Sequence, residues 1–190
     1  VHNNLGQVIS DAGLKQLRIG ETQKYAHVTY FLNSQVETPL KGEDRLMIDS
    51  KKCHSYAEIP EMSAREITDA LLKKLSAGAY SFIALNFANC DLVGHSGDLK
   101  STIKAVEVVD ECLGKIVPAA GKAGYTTIIT GDHGNAEYKI YEDTGEDCPS
   151  HTTNPVPCIV VRDGAQGTGH SKIKQGELKD IAPTVLAIMG

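Results

Sequence analysis

Between Ser63 and Thr130 the sequence alternates twice between a long amphipathic pattern and a short β-branched run, an order few folds accommodate. The first pattern opens with Ser63-Ala64-Arg65-Glu66, which reads as a capping box with Ser at the N-cap and Glu at N3. Ile67, Ala70, Leu71 and Leu75 then share a face, and Gly78 closes the helix. Tyr80 to Phe87 follows as a buried strand. A second helix runs from Asp98 to about Ala120, with Ile103, Val106, Val109, Leu113 and Ile116 on its apolar face. It leads into Tyr125-Thr126-Thr127-Ile128-Ile129-Thr130, which reads as a buried parallel strand. Helix, strand, helix, strand implies right-handed crossovers, and so an α/β fold with a mostly parallel sheet flanked by helices.

The rest of the chain is less regular. Leu5 to Ala12 is a short helix stopped by Gly13. Tyr25 to Leu32, β-branched and aromatic, is expected as a strand, with Lys24 at its start beside a loop. Residues 33–62 are punctuated by Pro39, Gly42 and Pro60, with Arg45 to Asp49 as a possible short strand. The turn Asp143-Thr144-Gly145 marks a small excursion, Val156 to Val161 a further strand, and residues 164–176 a glycine-rich loop. Asp180 caps a last helix with Pro183 in its first turn.

A chain of 190 residues suits one domain with a real core. A net charge of −5 and the lack of a basic stripe argue against a nucleic-acid partner. No apolar run suggests a membrane span and no signal peptide opens the sequence, so a soluble, cytoplasmic setting is expected. The five cysteines are odd in number and lack CxxC spacing, which favours reduced thiols over a disulfide framework. Val1 at the start and Met189-Gly190 directly after a helical pattern suggest a piece of a longer protein.

The chemistry gathers at strand ends. Thr130 leads into Gly131-Asp132-His133-Gly134-Asn135-Ala136-Glu137, where a carboxylate and an imidazole stand side by side between glycines. Taken alone, the stretch fits either a divalent-metal site or an ordinary turn with a capping Asp and a solvated His. Beyond the preceding strand lie Asp91 and His95, which one helical turn would put on the same face. A parallel sheet brings both pairs to its C-terminal edge, and His151, just before the last strand, can return there. Asp91, His95, Asp132, His133 and His151 are too many for one four-coordinate structural zinc and suit a two-metal centre that lacks a ligand or two. Mixed carboxylate and imidazole ligation favours manganese or zinc over calcium. Arg18 and Lys24 are the first candidates for a phosphate partner, while His2, His27, His54 and His170 read as surface or packing residues.

A specific resemblance covers nearly the whole chain, in order. It rests on Leu14-Lys15-Gln16-Leu17-Arg18-Ile19, Lys24-Tyr25-Ala26-His27-Val28-Thr29, Pro60-Glu61-Met62-Ser63-Ala64, Asn86 to His95, Gly131 to Glu137, and His151-Thr152-Thr153-Asn154-Pro155-Val156-Pro157. These segments resemble the cofactor-independent (2,3-bisphosphoglycerate-independent) phosphoglycerate mutases, of the alkaline phosphatase superfamily, which interconvert 3- and 2-phosphoglycerate. Cys90 and Gly131 depart from the family's usual proline and alanine, at positions that supply no ligand.

The resemblance implies an alkaline phosphatase-like fold and two divalent ions, manganese by the family's habit, with no 2,3-bisphosphoglycerate requirement. Asp91, His95 and His151 would hold one ion, Asp132 and His133 the other, and Lys24 would contact the substrate phosphate. The family's nucleophilic Ser, a neighbouring Asp and an inserted phosphotransferase domain have no counterpart in residues 1–190. The chain therefore reads as the C-terminal part of the phosphatase-like domain, with no catalytic nucleophile of its own. The whole enzyme would be a cytoplasmic, monomeric isomerase of glycolysis working through phosphoserine. A phosphopentomutase, a phosphodiesterase of the same superfamily, or a non-catalytic metal-binding domain are the alternatives.

Overall fold

The computed structural model describes residues 3–162 and 174–190, so most of the glycine-rich segment, His2 and His170 lie outside the described residues. Its centre is β1 (Gln16–Glu21), every residue of which is buried. It pairs in parallel with β2 (Glu43–Ile48) on one side and β3 (Phe82–Leu85) on the other, giving the order β2-β1-β3. The sequence reading left the Leu14 to Ile19 run unassigned. Alternating Leu17 and Ile19 with Gln16 and Arg18 hides a strand whose polar residues are buried too.

Helices α1 (Leu5–Asp11), α2 (Ala64–Ser76), α3 (Asn89–Gly94), α4 (Leu99–Lys122) and α5 (Ile181–Met189) complete the described helical framework. Ile19 of β1 meets Ile67, Leu71 and Leu75 of α2 and Ile116 and Ala120 of α4 in the main core cluster. Burying each of the large aliphatic side chains contributes about 1.5–3 kcal/mol relative to exposure. That cluster fixes α4 against the sheet and so fixes α3, which precedes it.

Helix α2 forms as expected, but without its capping box. Ser63 Oγ donates instead to the Asp49 carbonyl at 2.9 Å. The buried Glu21, at the end of β1, accepts from Ser63 N–H at 3.4 Å and from Ser50 Oγ at 2.8 Å. A strand residue thus takes the role that local sequence assigned to Glu66, which pairs with Lys51 at 3.3 Å. Burial raises the Glu21 carboxyl against those hydrogen bonds.

The expected strand over Tyr25 to Leu32 does not form. Thr22–Lys24 makes a 3-10 turn and His27–Phe31 a wide helical turn. Thr29 Oγ1 donates back to the Tyr25 carbonyl at 2.8 Å, and the His27 and Phe31 rings meet edge to face at 5.3 Å. Lys24 and Val28, four residues apart, both point inward, so helical spacing prevails over β propensity. This turn carries Lys24 off the end of β1.

The sheet is also less continuous than the order of elements implied. β4 (Thr127–Thr130) pairs antiparallel with β5 (Cys158–Val161), and among the described residues it does not pair with β3. Residues 81–87 and 125–131 face a shared cavity of about 1330 Å³. Each of these two strands therefore has one partner and one open edge. The same gap explains α4, whose expected apolar face is only partly packed, with Ile116 in the core. Thr102, Ala105, Val108, Cys112 and Ile116 are its buried side, whereas Ile103 is 51% and Val106 45% exposed. Val106, Val109 and Leu113 line the cavity instead. No helix among the described residues is long and apolar enough to cross a membrane.

Candidate metal centre

Three segments converge beyond the ends of β3 and β4. Asp91 lies in the first turn of α3 and His95 caps its C-terminus, so the four-residue spacing does place both on one face. His151 returns on the loop before β5, tied by the Thr152 N–H bond to the Gly134 carbonyl at 2.8 Å. Asp91 Oδ1 is 2.9 Å from His151 Nε2 and 3.1 Å from His95 Nε2, and the two ring nitrogens are 3.0 Å apart. Neighbouring octahedral ligands of an ion about 2.1 Å away stand about 3.0 Å apart, so this near-equilateral triangle has the dimensions of one face of such a shell. The oxygen and imidazole donors fit a divalent transition metal.

Two of the three donors, His95 and Asp91, are held from behind. His95 Nδ1 meets the Pro149 carbonyl at 2.7 Å. A carbonyl only accepts, so Nδ1 carries the hydrogen and Nε2 faces inward as a lone-pair donor, the usual support of a metal-binding imidazole. Asp91 Oδ2 pairs with Lys24 Nζ at 2.5 Å, and Asn135 Nδ2 donates to Asp91 Oδ1 at 3.0 Å. Burial alone would raise the Asp91 carboxyl. The bonds from Lys24 and Asn135 and the nearby charge of Lys24 outweigh it and bring the carboxyl down to about 2. Asp91 is thus ionised at neutral pH, ready to ligate.

The second expected pair sits at the margin. His133 stacks on His151 with centroids 3.7 Å apart, and its Nε2 is 3.8 Å from Asp91 Oδ1. Asp91, His133 and His151 also offer ligand atoms that all lie within 4.8 Å of one another. Asp132 Oδ2 is 3.6 Å from His133 Nε2, and its side chain is 58% exposed. Lys24 is buried and engaged with Asp91. Arg18 is fully buried: Nη2 donates to Gln16 Oε1 at 2.7 Å and the guanidinium stands over the Phe82 ring, while Nε and Nη1 have no hydrogen-bond partner among the described residues. Burial, against the pull of Glu43, lowers its guanidinium to about 10, and at 0% exposure Arg18 is out of reach of a phosphate at the strand ends. His27, read as a surface or packing residue, is exposed at the surface; desolvation first, then the charge of Lys24, lowers its pKa against Asp132 and Asp91.

Sequence reasoning missed the frame around the ligands. Glu137 accepts from the Asn135 N–H at 2.7 Å, from Asn154 Nδ2 at 3.0 Å and from Thr152 Oγ1. One carboxylate therefore fastens the Asp132-His133 loop to the His151 loop. Hydrogen bonds from Thr152 and Asn154 lower its carboxyl despite desolvation, which opposes them. Gly134 admits this contact, since a Cβ there would lie 2.5 Å from Glu137 Oε1. The signal was present in the run of polar residues after the ligand pair, but the partners that join it to the other loops, Asp91, Thr152 and Asn154, are 15 or more residues away.

A carboxylate-imidazole centre on an α/β sheet defines a class, and the whole chain, residues 1–190, belongs to the family described as the Metalloenzyme superfamily. Within that class its relatives are specific. It is 53% identical over 189 residues to the 2,3-bisphosphoglycerate-independent phosphoglycerate mutase of Moorella thermoacetica, covering 100% of this chain and 36% of that protein. The same enzyme of Clostridium acetobutylicum is 51% identical over 190 residues, at 100% and 37% coverage. The solved phosphoglycerate mutase of Leishmania mexicana, at low cobalt concentration, superposes with a TM-score of 0.80 at 34% identity, over 84% of this chain and 31% of that one. The chain thus spans little more than a third of the length of the curated relatives it matches.

Proposed function

We propose that this chain is the metal-binding C-terminal part of a 2,3-bisphosphoglycerate-independent phosphoglycerate mutase, an isomerase that interconverts 3- and 2-phosphoglycerate. The observation that carries the reading is the triangle of Asp91 Oδ1, His95 Nε2 and His151 Nε2, with edges of 2.9, 3.0 and 3.1 Å. The similarity to named mutases supports the substrate, and the Leishmania mexicana structure's cobalt supports a divalent transition metal. Manganese is the ion proposed.

Asp91, His95 and His151 would hold one ion and Asp132 with His133 part of a second. A bound ion supplies electrostatic stabilisation to a phosphoryl group in transfer. Lys24, a compact ammonium at the same edge, would neutralise phosphate charge. The phosphoryl acceptor is a serine that residues 1–190 do not provide. The open edges of β3 and β4, facing one another across the cavity, are where we expect the segment carrying that serine to enter. The whole enzyme would work in cytoplasmic glycolysis as a monomer.

The test is an enolase-coupled assay on two proteins. The 190-residue chain, freed of host mutase, is expected to give no turnover. The same chain joined to the remaining two-thirds of a mutase is expected to turn over and to lose activity when Asp91 becomes Asn. Activity in the isolated chain would overturn the missing-nucleophile reading. An inactive but metal-loaded full-length protein would overturn the mutase assignment.

A further inference from the structure

Lys139 is almost fully buried, yet no carboxylate among the described residues lies within ion-pairing distance of its ammonium. Its Nζ donates to the Gly94 carbonyl at 2.9 Å and to Asn135 Oδ1. An ammonium has three donors and no acceptor, so it can face the oxygen of the Asn135 amide and not its NH2. The other end of that amide then has to present Nδ2, which reaches Asp91 Oδ1 at 3.0 Å and the Asp91 carbonyl at 3.3 Å. Gly94 is what lets the amide pass, because a Cβ there would stand 2.5 Å from Asn135 Oδ1.

We propose that Lys139 and Asn135 form a positioning relay that locks the amide's orientation and thereby aims Asp91 Oδ1 at the two imidazoles. The inference rests on the metal reading above and extends it to two residues that touch no ligand atom of the histidines. Each oxygen of Asp91 is then tethered to a lysine, Oδ2 directly to Lys24 and Oδ1 through the amide to Lys139. Without Lys139 the amide can rotate by half a turn, which sets its oxygen against the carboxylate. Without the amide, Asp91 Oδ1 loses the donor that fixes it.

The experiment is a double-mutant cycle on the full 190-residue chain, reading Mn2+ affinity by calorimetry and apo stability by thermal unfolding in chelator. Asn135→Ala is expected to weaken Mn2+ binding by about 10- to 100-fold, as loss of a group supporting a ligand does. Lys139→Met, which keeps the length and removes the donor, is expected to weaken it about three- to tenfold, the worth of one net hydrogen bond. In the Asn135→Ala background Lys139→Met is expected to change nothing further. Should Lys139→Met fail to fold, Lys139→Gln, which retains an N–H donor, is expected to keep most of the parent affinity. Unchanged Mn2+ affinity in Lys139→Met, or equal losses with and without Asn135, would overturn the relay alone. Failure of the parent chain to bind Mn2+ would overturn the metal reading and the relay with it. A readout free of metal is the Asn135 side-chain NH2 resonance, expected to shift in Lys139→Met; an unmoved resonance would count against the relay.

Discussion

Replacing Lys24 by Met removes a charge while nearly keeping the shape, and it isolates the electrostatics of the centre. Lys24 Nζ and Asp91 Oδ2 are 2.5 Å apart, with side chains 8% and 13% exposed. At an effective dielectric of about 20 the gross attraction is about 7 kcal/mol, most of it offset by the desolvation of both groups. Breaking such a pair leaves an uncompensated carboxylate, which costs about 3–5 kcal/mol when fully buried. The partial access of water to Asp91 lowers the expected cost to about 2–4 kcal/mol. For a chain of this size that is a fall in Tm of roughly 5–15 °C in chelator. A divalent ion on Asp91 would supply the positive charge that Lys24 no longer does. Lys24→Met is therefore expected to destabilise the apo chain much more than the Mn2+-saturated chain, with at least half of the loss recovered. Differential scanning calorimetry of both proteins, with EDTA and with excess Mn2+, makes the comparison. Equal losses in the two conditions, or no loss in either, would refute the reasoning.

Two further predictions concern the same site. Asp91 stands at about 2 when folded against an ordinary value of 3.8, so the unfolded chain takes up its proton at the higher pH. The stability it contributes is complete above about pH 4 and is lost as pH falls towards 2, amounting to about 1–2 kcal/mol after discounting for solvent access. Urea titrations in EDTA at pH 5 and pH 3 are expected to show that Asp91→Asn is less acid-sensitive than the parent; an identical pH dependence would contradict this. Glu137→Ala frees the His133 loop from the His151 loop and leaves the Asn135 N–H without its acceptor, at about 1–3 kcal/mol. It is expected to weaken Mn2+ binding at least tenfold by calorimetry, and an unchanged affinity would show that the two loops hold themselves.

The fold class was legible because two amphipathic helices and two β-branched runs alternate, and α2, β3, α4 and β4 lie within a few residues of their expected places. The ligand spacing in Asp91 and His95 was legible for the same reason, since one helical turn fixes which residues share a face. Long-range partners hid what the sequence concealed. Glu21 replaces Glu66 at the start of α2 only because β1 ends there, and Thr29 bonding back to Tyr25 turns a β-like run into a helical one. Arg18 resembles a phosphate ligand until the sheet covers it. The pairing of β4 with β5, and not with β3, is a matter of what lies between the strands. Asn135, Glu137 and Lys139 escaped notice because their roles depend on Asp91, Gly94, Thr152 and Asn154, none of which is a neighbour in sequence.

The central claim is that Asp91, His95 and His151 hold one divalent ion. A crystal of the chain grown with Mn2+ and measured for anomalous scattering tests it directly. The account predicts a strong peak bounded by Asp91 Oδ1, His95 Nε2 and His151 Nε2, and a weak peak or none at Asp132 and His133, where ligands are missing. No peak within that triangle, or full occupancy at both positions, would contradict it.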